Sequence, residues 1–326
     1  MDSILPYVWF FLFLTPLILF VILDGADLAL GIIALTRTSI ERTKLIDTVG
    51  PLWYANETWL VIAVATLFGA FPQAYGIILS SLYIPVIILV FGLMFRAVST
   101  ELRGHSEKND FWGVVFGVGC LLAVLGQGFL LGGLLSDLTI QNGSYTGGAW
   151  GWFGLTSVMV ALGVVAAYVM LGAANLLKGD RASVYIRQVL RVSTTVTFIL
   201  FVFAVVFVSV AADFKAQIRL PSHLPWLICF VIAAIAGFLM LLVTSYRSRA
   251  VIIPYTWAVV TFLSISGTIV SAIFPYLVPF SLSVTEAASS RDTLVFMLPG
   301  VGGVLLVIIV YNIYVKRAFA SKTQKS

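Results

Sequence analysis

Charge is what this chain has least of: only 10% of its 326 residues are Asp, Glu, Lys or Arg, against 60% apolar residues and a mean hydropathy of +1.07. A soluble domain of this size needs a polar shell that such a composition does not supply, so the chain reads as an integral membrane protein. Histidine is nearly absent too. The two that exist, His105 and His223, fall in loops on opposite sides of the membrane. No pair of imidazoles then faces across a helix bundle, which excludes a histidine-ligated haem or metal within the chain's own helices. Cys120 and Cys229 stand singly in different apolar segments, without disulfide or metal spacing, and read as small buried hydrophobes. Met159 and Met170 share one segment and read as core packing. The first apolar run has no basic residues before it and no small-residue cleavage site after it, so it reads as a retained first helix.

Long apolar runs are what the sequence has instead. Crossing about 30 Å of hydrocarbon takes roughly 20 residues. Nine runs qualify, near residues 7–35, 52–75, 77–95, 111–135, 153–177, 193–213, 224–245, 251–277 and 294–315. The expected fold is therefore all-α: a polytopic membrane protein forming a single integral domain over 1–326, with a first four-helix half (1–135), a second (153–277) and a ninth helix (294–315). The second and third spans are separated only by Phe71-Pro72-Gln73, which reads as a tight turn at the membrane face. Of the 19 lysines and arginines only Lys215, Arg219 and Arg291 fall in loops on the N-terminal side. That bias puts the N-terminus outside and the C-terminus in the cytoplasm. Anionic lipid is the natural neighbour of the basic face, and nothing calls for nucleic acid.

Against this background the intramembrane acids stand out. An ionisable side chain costs about 2.5 to 3.5 kcal/mol at the centre of a membrane helix, so it is usually kept for a task. Asp24 and Asp27, three residues apart, lie on one face of the first span. In the expected orientation they share its cytoplasmic half with Glu57, in the first turns of the second span, and with Arg96, at the end of the third. Two readings stay open: a proton or ion route, or an ion-paired cluster that neutralises itself. Gln127, between Gly126 and Gly128, reads as a cross-link between closely packed helices, with a ligand-facing role as the alternative. Asn142-Gly143-Ser144 reads as a polar outside turn and matches a glycosylation acceptor pattern. Leu23-Asp24-Gly25-Ala26-Asp27-Leu28 and Leu171-Gly172-Ala173-Ala174-Asn175-Leu176 form a faint internal repeat, a feature also found in transporters.

The segment Leu23-Asp24-Gly25-Ala26-Asp27-Leu28-Ala29-Leu30-Gly31 resembles the LDGFDLGVG-type signature of subunit II of cytochrome bd-type quinol oxidases. Pro51-Leu52-Trp53-Tyr54-Ala55-Asn56-Glu57-Thr58-Trp59-Leu60 is similar to that family's PxWDGNEVWL stretch. Phe68-Gly69-Ala70-Phe71-Pro72, Phe95-Arg96, Gly126-Gln127-Gly128, Phe274-Pro275-Tyr276 and the segment from Ser281 to Ser290 follow in register, so the resemblance covers nearly the whole chain. A cyanide-insensitive-like branch of the family fits as well.

The resemblance implies a subunit without haem, built as two four-helix bundles plus one peripheral helix in the bacterial cytoplasmic membrane. Its partner would be subunit I, which carries haems b and d and the quinol-oxidising loop. The complex would oxidise quinol and reduce dioxygen to water, taking its protons from the cytoplasm. The resemblance leaves room for a structural quinone or lipid and for a small single-helix accessory subunit. It also implies that Asp24 stands on a proton route. The family's second acid on that route is replaced by Tyr54, whose ordinary pKa near 10 makes it a poor proton donor at neutral pH. Glu57, one turn on, would take its place, with Asp27 and Arg96 supporting the cluster and Trp53 and Trp59 packing against the partner or the membrane interface. A multi-pass secondary transporter is the alternative, and it would call for helices broken near the membrane midplane.

Overall fold

The structure is a computed structural model and describes residues 4–49, 53–104, 109–136, 138–177, 183–210, 224–246 and 253–323. His105, His223, Pro51, Leu52, Lys215 and Arg219 lie outside the described residues. The chain is helical almost throughout: α1 (Leu5–Leu35), α2 (Ser39–Ile46), α3 (Trp53–Ala70), α4 (Pro72–Ser81), α5 (Tyr83–Arg103), α6 (Asn109–Leu134), α7 (Leu155–Leu176), α8 (Val184–Val210), α9 (Leu224–Tyr246), α10 (Ile253–Ile273), α11 (Val284–Ala287) and α12 (Arg291–Thr323). Two small hairpins complete it, β1 (Ile140–Gln141) with β2 (Ser144–Tyr145), and β3 (Tyr276–Val278) with β4 (Leu282–Ser283). Among the described residues seven helices are long and apolar enough to cross a membrane, or eight if α3 and α4 count as one broken span. The long helices are apolar on all sides, as the bilayer allows. Helical hydrogen bonding within each segment satisfies the backbone where no water can.

Three expected spans are drawn differently. The second ends at Ala70, and α4 departs at 118° from α3 as a separate ten-residue helix. The third span is Tyr83–Arg103, not 77–95. Phe71 and Pro72 explain the break. Phe71 is fully buried and leaves helical geometry (φ −135°, ψ 59°), and Pro72 fits the first turn of a new helix because its missing N–H is not needed there. The carbonyls freed at the end of α3 are taken up from far along the chain. Ser289 N–H donates to Ala70 O at 2.9 Å and Ser289 Oγ to Gly69 O at 2.8 Å. Arg96 does not end the third span, since α5 runs seven residues further to Arg103. The sixth span starts earlier than 193 and takes Arg187 and Arg191 into α8. Arg191 is accommodated because it donates to Ser245 O at 3.1 Å near the end of α9 and lies 3.9 Å over the Tyr246 ring. Asn142 and Gly143, at φ 51° and 74°, form a two-residue hairpin loop, the left-handed pair this turn requires.

Small residues set how closely the helices approach. A Cβ at Gly92 of α5 would lie 2.3 Å from Ala123 N of α6, and one at Gly119 would lie 2.7 Å from Arg96 N. The two helices thus run backbone against backbone beside Arg96. Gly172 of α7 packs in the same manner on α1, where its Cβ would meet that of Ala29 at 2.4 Å, so the two halves of the faint repeat face each other. At the end opposite the arginines, Trp9, Phe10 and Phe71 form a second core with the β3–β4 hairpin and α11.

Gly92→Ala should lower the thermal midpoint of the purified protein, because overpacking at this contact costs about 1–3 kcal/mol. Gly76→Ala, whose Cβ meets nothing within 4 Å, should leave the midpoint unchanged or slightly raised. Melting both variants in one detergent decides it.

Candidate functional site

Three helices bring one charged group each to a single point. Asp24 of α1, Glu57 of α3 and Arg96 of α5 form a triad centred on the guanidinium. Arg96 Nη1 donates to Asp24 Oδ2 at 3.0 Å and Nη2 to Asp24 Oδ1 at 2.9 Å, a two-pronged clamp. The same Nη2 donates to Glu57 Oε1 at 2.8 Å. The Asp24 and Arg96 side chains are 0% and 1% exposed, whereas Glu57 retains 25%. Two carboxylates thus share one guanidinium, and with all three ionised the triad carries one negative charge. A single proton neutralises it.

The residues around the triad fix it in place. Ser99 Oγ and Thr100 Oγ1 both donate to Arg96 O at 2.8 Å. The Trp53 ring lies 5.1 Å from the Arg96 guanidinium carbon. Asp27 stands apart from the triad and accepts from Asn56 Nδ2 at 2.9 Å, binding α1 to α3 one residue before Glu57. Asn56 had no role in the sequence reading. Its position next to Glu57, with a short amide on a buried face, is the signal that could have found it.

Tyr54 turns elsewhere. It is 52% exposed, stacks on Trp53 with centroids 3.6 Å apart, and donates to Glu101 Oε1 at 2.5 Å. Trp53 and Trp59 are 3% and 4% exposed within this chain. Trp53 is drawn in by the guanidinium, and Trp59 packs with Phe20 and Ile62 beneath Leu305 and Ile308 of α12. Gln127 Oε1 accepts from the Tyr168 hydroxyl at 2.5 Å, linking α6 to α7. Cys120 is buried against Gly31, but Cys229 is exposed on α9. Among the described residues no group of three or more His, Cys, Asp or Glu could hold a metal ion. At the arginine-rich end, ion pairs join Arg37 to Glu41, Arg42 to Asp110 and Arg103 to Asp47. The Arg37 guanidinium, helped by the Thr38 hydroxyl, holds the Glu41 carboxyl below its usual range.

Removing one member of a buried ion pair typically costs 3–5 kcal/mol, since it strands the other charge. Arg96→Leu should therefore cut the yield and thermal midpoint of the purified protein sharply. Arg96→Leu combined with Asp24→Asn should recover a large part of both, because the fully buried stranded charge is gone and only the partly exposed Glu57 is left unpaired by Arg96.

The family model for cytochrome bd terminal oxidase subunit II matches residues 5–319. Cytochrome bd ubiquinol oxidase subunit 2 of Bacillus subtilis is 37% identical over 135 residues, 40% of this chain and 39% of that protein. Cytochrome bd-I ubiquinol oxidase subunit 2 of Escherichia coli K12 is 28% identical over 228 residues, 65% of this chain and 59% of that protein. The matched stretches thus span less than two thirds of both relatives. A probable cytochrome oxidase subunit 2 of Haemophilus influenzae is 26% identical over 90% of this chain and 88% of its own length. The structure of bd oxidase from Geobacillus thermodenitrificans contains a chain that superposes with a TM-score of 0.76 at 16% identity, covering 97% of this chain and 98% of that one, which is likeness of fold. With the family model spanning nearly its full length, this multi-span membrane chain belongs to the cytochrome bd terminal oxidase subunit II family of the bacterial cytoplasmic membrane.

Proposed function

We propose that the chain is the haem-lacking subunit II of a terminal oxidase that oxidises quinol and reduces dioxygen to water, and that its buried triad helps deliver protons from the cytoplasm. Family membership supports the oxidase reading. The observation that carries the proton role is the sharing of Arg96 by Asp24 and Glu57, a site one positive charge short of neutral, buried at one end and open at the other. In this reading Glu57, the partly exposed member, takes up the proton. Asp24, held by both guanidinium nitrogens, passes it on as the clamp rearranges. Arg96 keeps the idle site from carrying two bare negative charges through hydrocarbon.

The remaining parts of the reading follow from the same family. Nine helices cross the membrane as two four-helix bundles and a peripheral α12, with the N-terminus outside and the arginine-rich end in the cytoplasm against anionic lipid. Haems b and d belong to subunit I. Exposed apolar residues along α5, among them Ile87, Phe91 and Met94, give that subunit, a small single-helix accessory subunit, or a structural quinone or lipid an apolar face to meet. The transporter alternative loses ground at α3. Its break with α4 comes after 18 residues, about 27 Å along the helix, which is a membrane face and not the midplane.

Asp24→Asn in the assembled complex should slow quinol-dependent oxygen consumption several-fold while leaving the reduced-minus-oxidised haem spectrum unchanged. A wild-type rate would overturn the relay, and loss of the haem bands would assign Asp24 to assembly. Fusing a reporter that is fluorescent only in the cytoplasm to the C-terminus tests the orientation, with fluorescence as the expected result.

A further inference from the structure

A cleft of about 280 Å³ opens at the arginine-rich end, lined by Asp47, Val49, Trp53, Thr100, Arg103 and Phe116 among others. At about 30 Å³ per molecule it has room for several waters. Its position follows from helical spacing. Trp53 lies four residues before Glu57 on α3, and Thr100 four residues after Arg96 on α5, so each lies one turn from a triad member on the same helical face. The cleft therefore sits directly beneath the triad. Between them stands the Trp53 indole, 3% exposed, with its ring 5.1 Å from the Arg96 guanidinium carbon.

Trp53 is itself held. Tyr54 stacks on it at 3.6 Å, and the Tyr54 hydroxyl is anchored to Glu101 on α5 at 2.5 Å. At the rim, Arg103 of α5 pairs with Asp47, beyond the end of α2. The rim is charged and the walls are partly polar, but the floor is an aromatic plate. A plate of this kind narrows the way for water between the cleft and the Arg96 guanidinium, which its face meets at 5.1 Å. Glu57, one turn from Trp53, is the less covered of the two acids.

The geometry points to a water vestibule on the cytoplasmic side of the triad in which Trp53 is the gate and Tyr54 with Glu101 its latch. The inference rests on the proton-delivery reading and adds to it where protons arrive and which residue positions the last water before Glu57. Trp53 acts through that water and exchanges no proton itself. Tyr54 then has a task suited to a residue that stays protonated: it holds the gate.

The test uses the assembled complex in inside-out membrane vesicles, with Cys229→Ser removing the exposed native thiol of this subunit. Thr100→Cys is treated with a small charged methanethiosulfonate from the cytoplasmic side, and each preparation is compared with its own untreated form and with the treated parent complex. Gly104→Cys, at a cleft position where a Cβ would meet only Glu101 O, at 4.0 Å, serves as the second variant should the first fail to assemble. The expected result is labelling of the introduced thiol and a several-fold fall in oxygen consumption with an unchanged haem spectrum. Labelling without loss of rate overturns the vestibule, and so does failure of both thiols to react. If Asp24→Asn is slow while the labelled complex runs freely, the vestibule alone falls. A full rate in Asp24→Asn removes the proton-delivery reading and the vestibule with it.

Discussion

One guanidinium shared between two carboxylates organises this subunit. Arg96 could not lie in the interior without Asp24, and Asp24 could not lie there without Arg96, since a stranded charge costs more than either helix recovers by packing. Their pairing therefore fixes the registers of α1 and α5 against each other, and Glu57 brings α3 to the same point. The glycines of α5 and α6 serve the same end. By letting the backbones touch at Gly92 and Gly119, they seat the Arg96 backbone against α6, so that its side chain extends toward α1 and α3.

The triad is also where stability and the proposed function draw on one set of atoms. A self-contained pair would have been neutral and inert, and the second carboxylate is what leaves the group one charge short. Glu57 is covered less than its partners because it sits a single turn inside α3, close to the cleft. The structural and functional readings of the cluster therefore differ in what they ask of Glu57 more than in what they ask of Arg96. Tyr54, three residues before Glu57, leans on Trp53.

How much of this could be read from the sequence depended on how rare each residue type was in its surroundings. Asp24, Glu57 and Arg96 were legible as a neighbourhood because charge inside an apolar span is scarce, and orientation alone put them at one level. The surroundings of Trp53 and Trp59 were not, since tryptophan is common both at interfaces and in interiors; the Arg96 guanidinium lies beside Trp53, while Phe20 and Ile62 pack on Trp59. The α3–α4 elbow was half legible: Pro72 marks a break, but the direction of the new helix is set by the burial of Phe71 and by Ser289, which lies 220 residues from the carbonyl it meets. Arg187 and Arg191 precede the apolar run at 193–213, so the sequence alone places them in a loop. The carbonyl of Ser245 and the ring of Tyr246, which admit Arg191 to α8, come from another helix.

The bonds from Ser289 to Gly69 and Ala70 bear on biosynthesis. A membrane chain is threaded into the bilayer from its N-terminus, so α3 and α4 arrive long before the residue that closes their elbow leaves the ribosome. Until then the carbonyls of Gly69 and Ala70 have only water or headgroups to meet. The early half is thus finished by the late half. A nascent chain truncated before residue 289 carries every member of the charged triad yet lacks the clasp that shapes the opposite end of α3.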